Sequence, residues 1–153
     1  MLNGIALILH LVAINVWVGG TFFAIVILSQ ALRAMDTLPQ LKLWQLIFRR
    51  FFAWTWLAVF ILLTSGIWMV YGVYGGFQSV PGYVMLMGLI ALLMIANFLF
   101  IYIVPYRRYQ QSLLIDDIDS CRRSLAVIRF TGIINMVLGL CIVVIIGGGP
   151  YLR

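Results

Sequence analysis

Four long apolar runs, separated by short polar segments, organise this chain. They extend from about Gly4 to Leu32, Phe51 to Tyr74, Val84 to Val104 and Leu125 to Ile146. Each reaches or exceeds the roughly 20 residues that an α-helix needs to cross a bilayer. Membrane β-strands would instead alternate apolar and polar residues over about ten positions, whereas these runs are apolar on all sides. The pattern therefore predicts four transmembrane α-helices.

The composition supports a membrane location for the whole chain. Of its residues, 65% are hydrophobic and 9% are charged, with a mean hydropathy of +1.14. Soluble domains average about 45–50% apolar and about 25% charged residues. Short connections between consecutive helices favour antiparallel neighbours. We therefore predict an all-α integral membrane protein in which residues 1–153 form a single domain, an antiparallel four-helix bundle.

The segment before the second apolar run carries a helical pattern of its own. Leu41, Trp44 and Phe48 follow the i, i+3, i+7 spacing of one helix face, with polar residues between them. We predict a short amphipathic helix over Leu38–Arg50 in the first loop. It would lie in the membrane interface, with Trp44 at the level of the lipid headgroups.

Basic residues gather in two of the three connections. Nine of the ten lysines and arginines lie in or beside the first and third connections, and only Arg153 does not. Because cytoplasmic loops carry an excess of Lys and Arg, these connections are predicted to be cytoplasmic. Both termini and the Gly75–Tyr83 turn then face outward. This topology signal accounts for the net charge of +6, so no nucleic-acid partner is expected.

The same basic ring predicts a lipid partner. Clustered Lys and Arg beside transmembrane helices attract anionic lipid headgroups on the cytoplasmic side. A homo-oligomer or a larger membrane complex is also open as an assembly state, since the sequence contains no signal that chooses between them.

The last apolar run carries start and stop signals. Asp119 or Ser120 can cap its beginning, and Gly147–Pro150 ends it. Cys121 and Cys141 fall near its opposite ends, about 30 Å apart at 1.5 Å per residue. A disulfide between them is therefore excluded.

The only histidine, His10, lies inside the first apolar run. Ionisable groups within a membrane span are costly and usually face the bundle interior with a partner. Two interpretations are open: a functional role in metal, haem or proton handling, or a core histidine bonded to Ser, Thr, Tyr or backbone. Gln78, Ser79 and Tyr83 in the outer turn are candidate partners near its depth.

Sulfur-containing residues lie at a similar depth on the other three helices. These are Met69, Met85, Met87 and Cys141. Thioethers, a thiol and an imidazole suit Cu(I), whereas the spans contain no carboxylate for a hard metal. Methionine and cysteine are also ordinary core residues, so packing is the alternative interpretation.

Haem is the rival cofactor. His10 paired with Met87 or Met69 would form an axial His/Met pair of the kind found in cytochromes. A single histidine excludes a bis-His site within one chain. No phosphate-binding loop, dinucleotide fingerprint, zinc HExxH motif or Ser/His/Asp set is present, so hydrolytic catalysis has no candidate residues.

Several stretches resemble the small single-domain CopD-type membrane proteins of proteobacteria. They are LHLVAINVWVGGTFFAIVIL, LWQLIFRRFFAWTWLAVFILLTSGIWMVYGVYGGF, FIYIVPYRRYQQS and IRFTGIINMVLGL. Within them the pattern H-x6-W-V-G-G is followed by RRFF and by T-x-G in the second span. The matching residues are His10, Trp17, Gly19, Gly20, Arg50, Phe51, Gly66 and Pro105.

The resemblance implies copper resistance and movement of copper across the bacterial inner membrane, so that the outward-facing termini would lie in the periplasm. Similar proteins often have further histidines near the third span, where this chain has Tyr83, Val84 and Met85, leaving methionine as the main substitute. The H-x6-W pattern also resembles a membrane protoporphyrinogen oxidase family that is thought to bind haem.

The sequence therefore predicts a copper-handling membrane protein with a periplasmic-side site of His10, Met69, Met85, Met87 and Cys141. The alternatives are a haem-binding electron-transfer protein, with haem b on His10, and a non-catalytic accessory subunit of a membrane complex. Enzymatic activity is not expected. A His10 nitrogen within about 6 Å of a methionine sulfur around an open pocket would favour the copper site.

Overall fold

The computed structural model describes residues 1–148, which are helical except at the connections. We name five helical segments α1 (Leu2–Ala34), α2 (Thr37–Gly72), α3 (Gly82–Ile103), α4 (Pro105–Leu114) and α5 (Ile118–Gly148). In α1, the α-helix Leu2–Phe22 continues through a π-helical stretch, Phe23–Leu28, and ends in a 3-10 turn, Leu32–Ala34. The last span was predicted to end near Ile146 with Gly147–Pro150 as its stop, but the helix continues through Gly148. Gly149, Pro150 and Arg153 lie outside the described residues.

Four helices among residues 1–148 are long and apolar enough to cross a membrane. They are Leu2–Ala34, Thr37–Gly72, Gly82–Leu114 and Ile118–Gly148, the third of which combines α3 and α4. Three of them contain their predicted span and extend beyond it, whereas the second begins well before Phe51 but ends at Gly72, two residues short of the predicted Tyr74. The expectation of a multi-pass, all-helical membrane protein is therefore confirmed.

Long-range hydrogen bonds show that α1 and α2 run antiparallel. Asn3 Nδ2 donates to the Gly72 carbonyl at 3.0 Å, and Gln40 Nε2 donates to the Leu32 carbonyl at 2.7 Å. Helix α1 lies between α2 and α5, and α3 packs closely against α5. Helices α2 and α3 meet mainly through aromatic side chains, as in the edge-to-face pair of Trp56 and Phe98 at 5.4 Å.

The predicted amphipathic helix in the first loop is not a separate helix. Residues 38–50 form the beginning of α2, which runs unbroken for 36 residues because neither glycine nor proline interrupts the chain near Arg50. Leu41 and Trp44 are only 1% and 2% exposed, so Trp44 lies in the protein core. The apolar face that suggested an interfacial helix is covered by the other helices of the bundle.

An aromatic cluster fills the end of the bundle where α2 begins and α3 ends. The rings of Phe52 and Tyr106 meet edge-to-face at 4.8 Å, and Phe48 contacts Tyr109 at 5.9 Å. The Tyr109 hydroxyl donates to the Leu41 carbonyl at 2.6 Å, joining α4 to α2. We call this the arginine-rich end, because most of the basic residues lie here. They are Arg33, Lys42, Arg49, Arg50, Arg107, Arg108, Arg122 and Arg123.

The cap of the last helix differs from the prediction. Helix α5 begins at Ile118, so its N-cap is Asp117 and not Asp119 or Ser120. The Asp117 carboxylate accepts the backbone N–H of Ser120 at 3.0 Å, as an N-cap does for the third helical residue. Hydrogen bonds from Ser120 hold the pKa of Asp117 below its ordinary value.

Candidate functional site

His10 faces the neighbouring helix α2. Its Nδ1 atom lies 2.8 Å from the hydroxyl of Ser65. Ser65 is buried and the imidazole is half-buried. Gly66 lies beside the imidazole, where a Cβ atom would be in ordinary van der Waals contact with Cε1 of His10, at 3.6 Å. The structure thus supplies the serine partner that the core-histidine interpretation expects.

The hydrogen bonds of Ser65 favour one tautomer of the imidazole. The Ser65 hydroxyl has one proton, and its oxygen lies 2.5 Å from the Ile61 carbonyl, which can only accept. The hydroxyl therefore donates to Ile61 and accepts the Nδ1–H of His10. Nε2 is left with its lone pair, which can bind a metal or a proton.

Asn3 holds α1 and α2 together on the side of His10 nearer the N-terminus. Its side chain donates to the Gly72 carbonyl at 3.0 Å and accepts the indole N–H of Trp68 at 3.1 Å. These contacts restrict sliding of the two helices past each other. The contacts of Asn3 thereby help to keep His10 within hydrogen-bonding distance of Ser65.

Among the predicted sulfur ligands, Met69 is the one on α2, the helix that packs most extensively against α1. It lies four residues after Ser65 on α2, so the two share a helix face, and its side chain is half-buried. Met87 is also half-buried and packs against the core, but it belongs to α3, which does not pack closely along α1.

Two of the predicted ligands lie on the outer surface of the bundle. Met85 is 59% exposed, and Cys141 is an exposed free thiol. Within residues 1–148, no three side chains of His, Cys, Asp or Glu gather closely enough to hold a metal ion. A soft site at His10 therefore depends on methionine sulfur.

A small cavity at the bundle centre bears on the haem alternative. It has a volume of about 40 Å³ and lies towards the arginine-rich end, between residues such as Thr21, Phe98 and Asn135. This volume holds only a few water molecules, and His10 does not line it. A porphyrin between the helices would have to push them apart.

The sequence prediction missed three polar residues that form hydrogen bonds between helices. It named Gln78, Ser79 and Tyr83 as partners of His10, but the partner is Ser65. Counting residues inward from the predicted span ends would have placed Ser65 near the depth of His10. Asn97 and Asn135 are the other two: Asn97 Nδ2 donates to the Asn135 side-chain oxygen at 2.8 Å and to the Thr131 carbonyl at 2.9 Å.

The Asn97–Asn135 pair joins α3 to α5 within the membrane span. Asn135 Nδ2 completes it by donating to the Met94 carbonyl at 3.2 Å. The sequence signal for this pair was the presence of two amide side chains within apolar runs, since polar groups buried in a membrane need hydrogen-bonding partners. Their mutual satisfaction indicates a structural role.

Comparison with known proteins adds one finding. The family model described as Copper resistance protein D matches residues 45–148. The match contains Ser65, Gly66 and Met69 but begins after His10. No curated protein and no solved structure matches the chain. Because the match covers well over half of its residues, this membrane protein belongs to the copper resistance protein D family.

Proposed function

We propose that this protein binds Cu(I) in the bacterial inner membrane, or passes it across, through His10 and Met69. The observation that carries the proposal is the hydrogen bond between His10 and Ser65, because it leaves Nε2 free as a ligand. Family membership supports a copper-related role in the membrane.

The chemistry of the donors fits this ion. Thioether sulfur favours Cu(I), and imidazole is an accepted copper ligand. Ser65 acts on the imidazole as the hydrogen-bonding partners of metal-bound histidines do, since it fixes the ring orientation and the tautomer. Met87 lies on α3, which does not pack closely along α1, so it is a weaker candidate than Met69. The exposure of Met85 and Cys141 makes them weaker candidates than the notably less exposed Met69.

The proposed direction follows from charge. The arginine-rich end would face the cytoplasm, so His10 would lie on the periplasmic side. Between His10 and that end, Trp17, Phe52 and Phe98 are at most 5% exposed and fill the bundle interior. Transfer of Cu(I) inward would therefore require these aromatic side chains to move, and binding is the simpler activity.

A Cu(I) competition assay tests this function. Purified protein in detergent is titrated with Cu(I) against the chromophoric chelator bicinchoninate. We expect His10→Ala to lose more affinity than the about 10–100-fold that loss of a ligand's hydrogen-bonding partner costs, and Met69→Leu to weaken binding as well. The matched control is Met85→Leu, which removes an exposed methionine and should leave the affinity unchanged.

Two results would contradict the proposal. Equal Cu(I) affinity of the wild type and His10→Ala would place any copper site elsewhere. A Soret band in protein purified from haem-replete cells, lost in His10→Ala, would instead assign the imidazole to haem.

A further inference from the structure

A groove lies on the lipid-facing surface between α2 and the α3–α4 segment, far from His10. Its volume is about 380 Å³. We call it the α2–α4 groove. Its lining residues are Arg49, Phe52, Ala53 and Trp56 from α2, with Tyr102, Tyr106, Arg107 and Gln110 from α3 and α4.

The packing of the bundle explains why the groove exists. Helices α2 and α3 are held apart by aromatic rings, including Phe52 against Tyr102 at 5.9 Å. Helix α3 ends at Ile103 and α4 begins at Pro105. Between them, the φ of −101° and ψ of −77° at Val104 depart from regular helical values. The space between α2 and α4 therefore remains open at the arginine-rich end.

The groove is polar at one end and aromatic at the other. Arg49 and Arg107 are exposed at the polar end, where Gln110 Nε2 donates to the Tyr106 hydroxyl at 3.2 Å. Trp56 and Tyr102 form an edge-to-face pair at 5.8 Å at the other end. Arg49 and Trp56 are about 10 Å apart along α2, at 1.5 Å per residue.

Within residues 1–148, no carboxylate lines the groove to compensate its charge. Two guanidinium groups from different helices line it, whereas all four carboxylate residues, Asp36, Asp116, Asp117 and Asp119, lie outside its lining. Guanidinium groups bind phosphate oxygens with paired N–H donors. Their position, where the apolar spans give way to charged residues, is the level of lipid phosphates.

We propose that the α2–α4 groove binds one anionic phospholipid. Its phosphate contacts Arg49 and Arg107, and an acyl chain lies along Trp56 and Tyr102. The basic ring as a whole attracts anionic lipid without selecting a position, whereas this groove combines two arginines with an adjacent aromatic surface. The inference requires only that the chain spans a membrane and is independent of copper.

Native mass spectrometry of the detergent-solubilised full chain tests the site. Phosphatidylglycerol and phosphatidylcholine are titrated separately, and the fraction of protein carrying one lipid is measured. We expect the Arg49→Gln/Arg107→Gln variant to bind phosphatidylglycerol about tenfold more weakly than the wild type. The matched control is Arg50→Gln/Arg108→Gln, which removes the same charge from neighbouring positions that do not line the groove.

The outcomes are distinct. Retention of wild-type affinity in the control, with loss in the groove variant, supports the site. Equal loss of phosphatidylglycerol affinity in both variants would show that the basic ring as a whole, and not the groove, binds the lipid. Equal affinity of the wild type for phosphatidylcholine would exclude recognition of the anionic headgroup. Competition by soluble glycerol phosphate at the lipid's own concentration would assign the arginines to a free phosphate.

A second measurement does not depend on substitution of the arginines. Phosphatidylglycerol with brominated acyl chains should quench the fluorescence of Trp56 in the wild type. The quenching is expected to fall in Trp56→Phe by more than in Trp54→Phe, whose tryptophan is 61% exposed outside the groove. Equal losses in the two variants would contradict an acyl chain in the groove.

Discussion

The Nδ1 atom of His10 lies 2.8 Å from the Ser65 hydroxyl, although the two residues are 55 positions apart in the chain. This contact joins α1 to α2 and favours the tautomer of His10 in which Nε2 keeps its lone pair. Removing the hydroxyl should therefore affect ligand binding while leaving the bundle intact, because Ser65 contributes little apolar area to the core.

Ser65→Ala is expected to weaken Cu(I) binding by about 10–100-fold, since the imidazole loses the partner that orients it. The measurement is the bicinchoninate competition described above. Thr64→Ala is the control: its exposed hydroxyl makes the same kind of bond to the backbone, to Phe60 at 2.9 Å. Equal affinities of Ser65→Ala and Thr64→Ala would show that the hydrogen bond to His10 has no part in binding.

Gly139→Ala should destabilise the contact between α1 and α5. A Cβ atom at residue 139 would collide with Val18, whose β-branched side chain has little freedom to move. Overpacking of this kind costs about 1–3 kcal/mol. Thermal unfolding in detergent, followed by circular dichroism, measures the loss.

Gly19→Ala provides the comparison, because nothing lies within 4 Å of a Cβ atom there. Alanine favours the helix over glycine by about 1 kcal/mol, so this variant should be at least as stable as the wild type. Equal unfolding temperatures of Gly139→Ala and Gly19→Ala would contradict the close approach of α1 to α5 at Gly139.

Asp117 should make the stability of the α5 N-terminus depend on pH. Its pKa is lowered in the fold by hydrogen bonds from Ser120, so its stabilising effect is present above the ordinary carboxylate pKa. The effect is lost as pH falls through the lowered pKa, because the protonated carboxyl is neutral and no longer makes a charge-assisted hydrogen bond with the backbone N–H. Asp117→Ala should therefore lower the unfolding temperature at neutral pH, by an amount that shrinks in acid.

Asp117→Asn separates the cap from the charge. Asparagine is as good an N-cap as aspartate, so this variant should keep most of the stability at neutral pH. Its difference from Asp117→Ala should not change with pH. A pH dependence in Asp117→Asn equal to that of the wild type would assign the titration to another group.

The topology is testable by cysteine labelling in intact cells. Gln78→Cys, in the connection between α2 and α3, should react with a membrane-impermeant maleimide from the periplasm. Gln111→Cys, exposed on α4, should react only after lysis. Both are made in a Cys141→Ser background, and the buried Cys121 is left in place. The opposite pattern of labelling would place the arginine-rich end outside.

The sequence alone determined the architecture of this protein. Apolar runs such as Leu125–Ile146 are long and uniform enough that only membrane-crossing helices satisfy their backbone hydrogen bonds. The basic residues beside them allowed the ends of the bundle to be distinguished, and the motif from His10 to Gly20 with the later RRFF stretch led to the family. These properties are local or periodic, so they can be read along the chain.

Tertiary structure decided which side chains meet. Hydropathy gives the depth of a residue in the membrane but not the direction of its side chain, since every face of these helices is apolar. Depth placed His10, Met69, Met85 and Cys141 together, but the rotation of each helix leaves Met85 and Cys141 on the surface and brings Ser65 to His10. In the same way, Trp44 has the spacing of an interfacial helix, and only the packing of the other helices over it makes it a core residue.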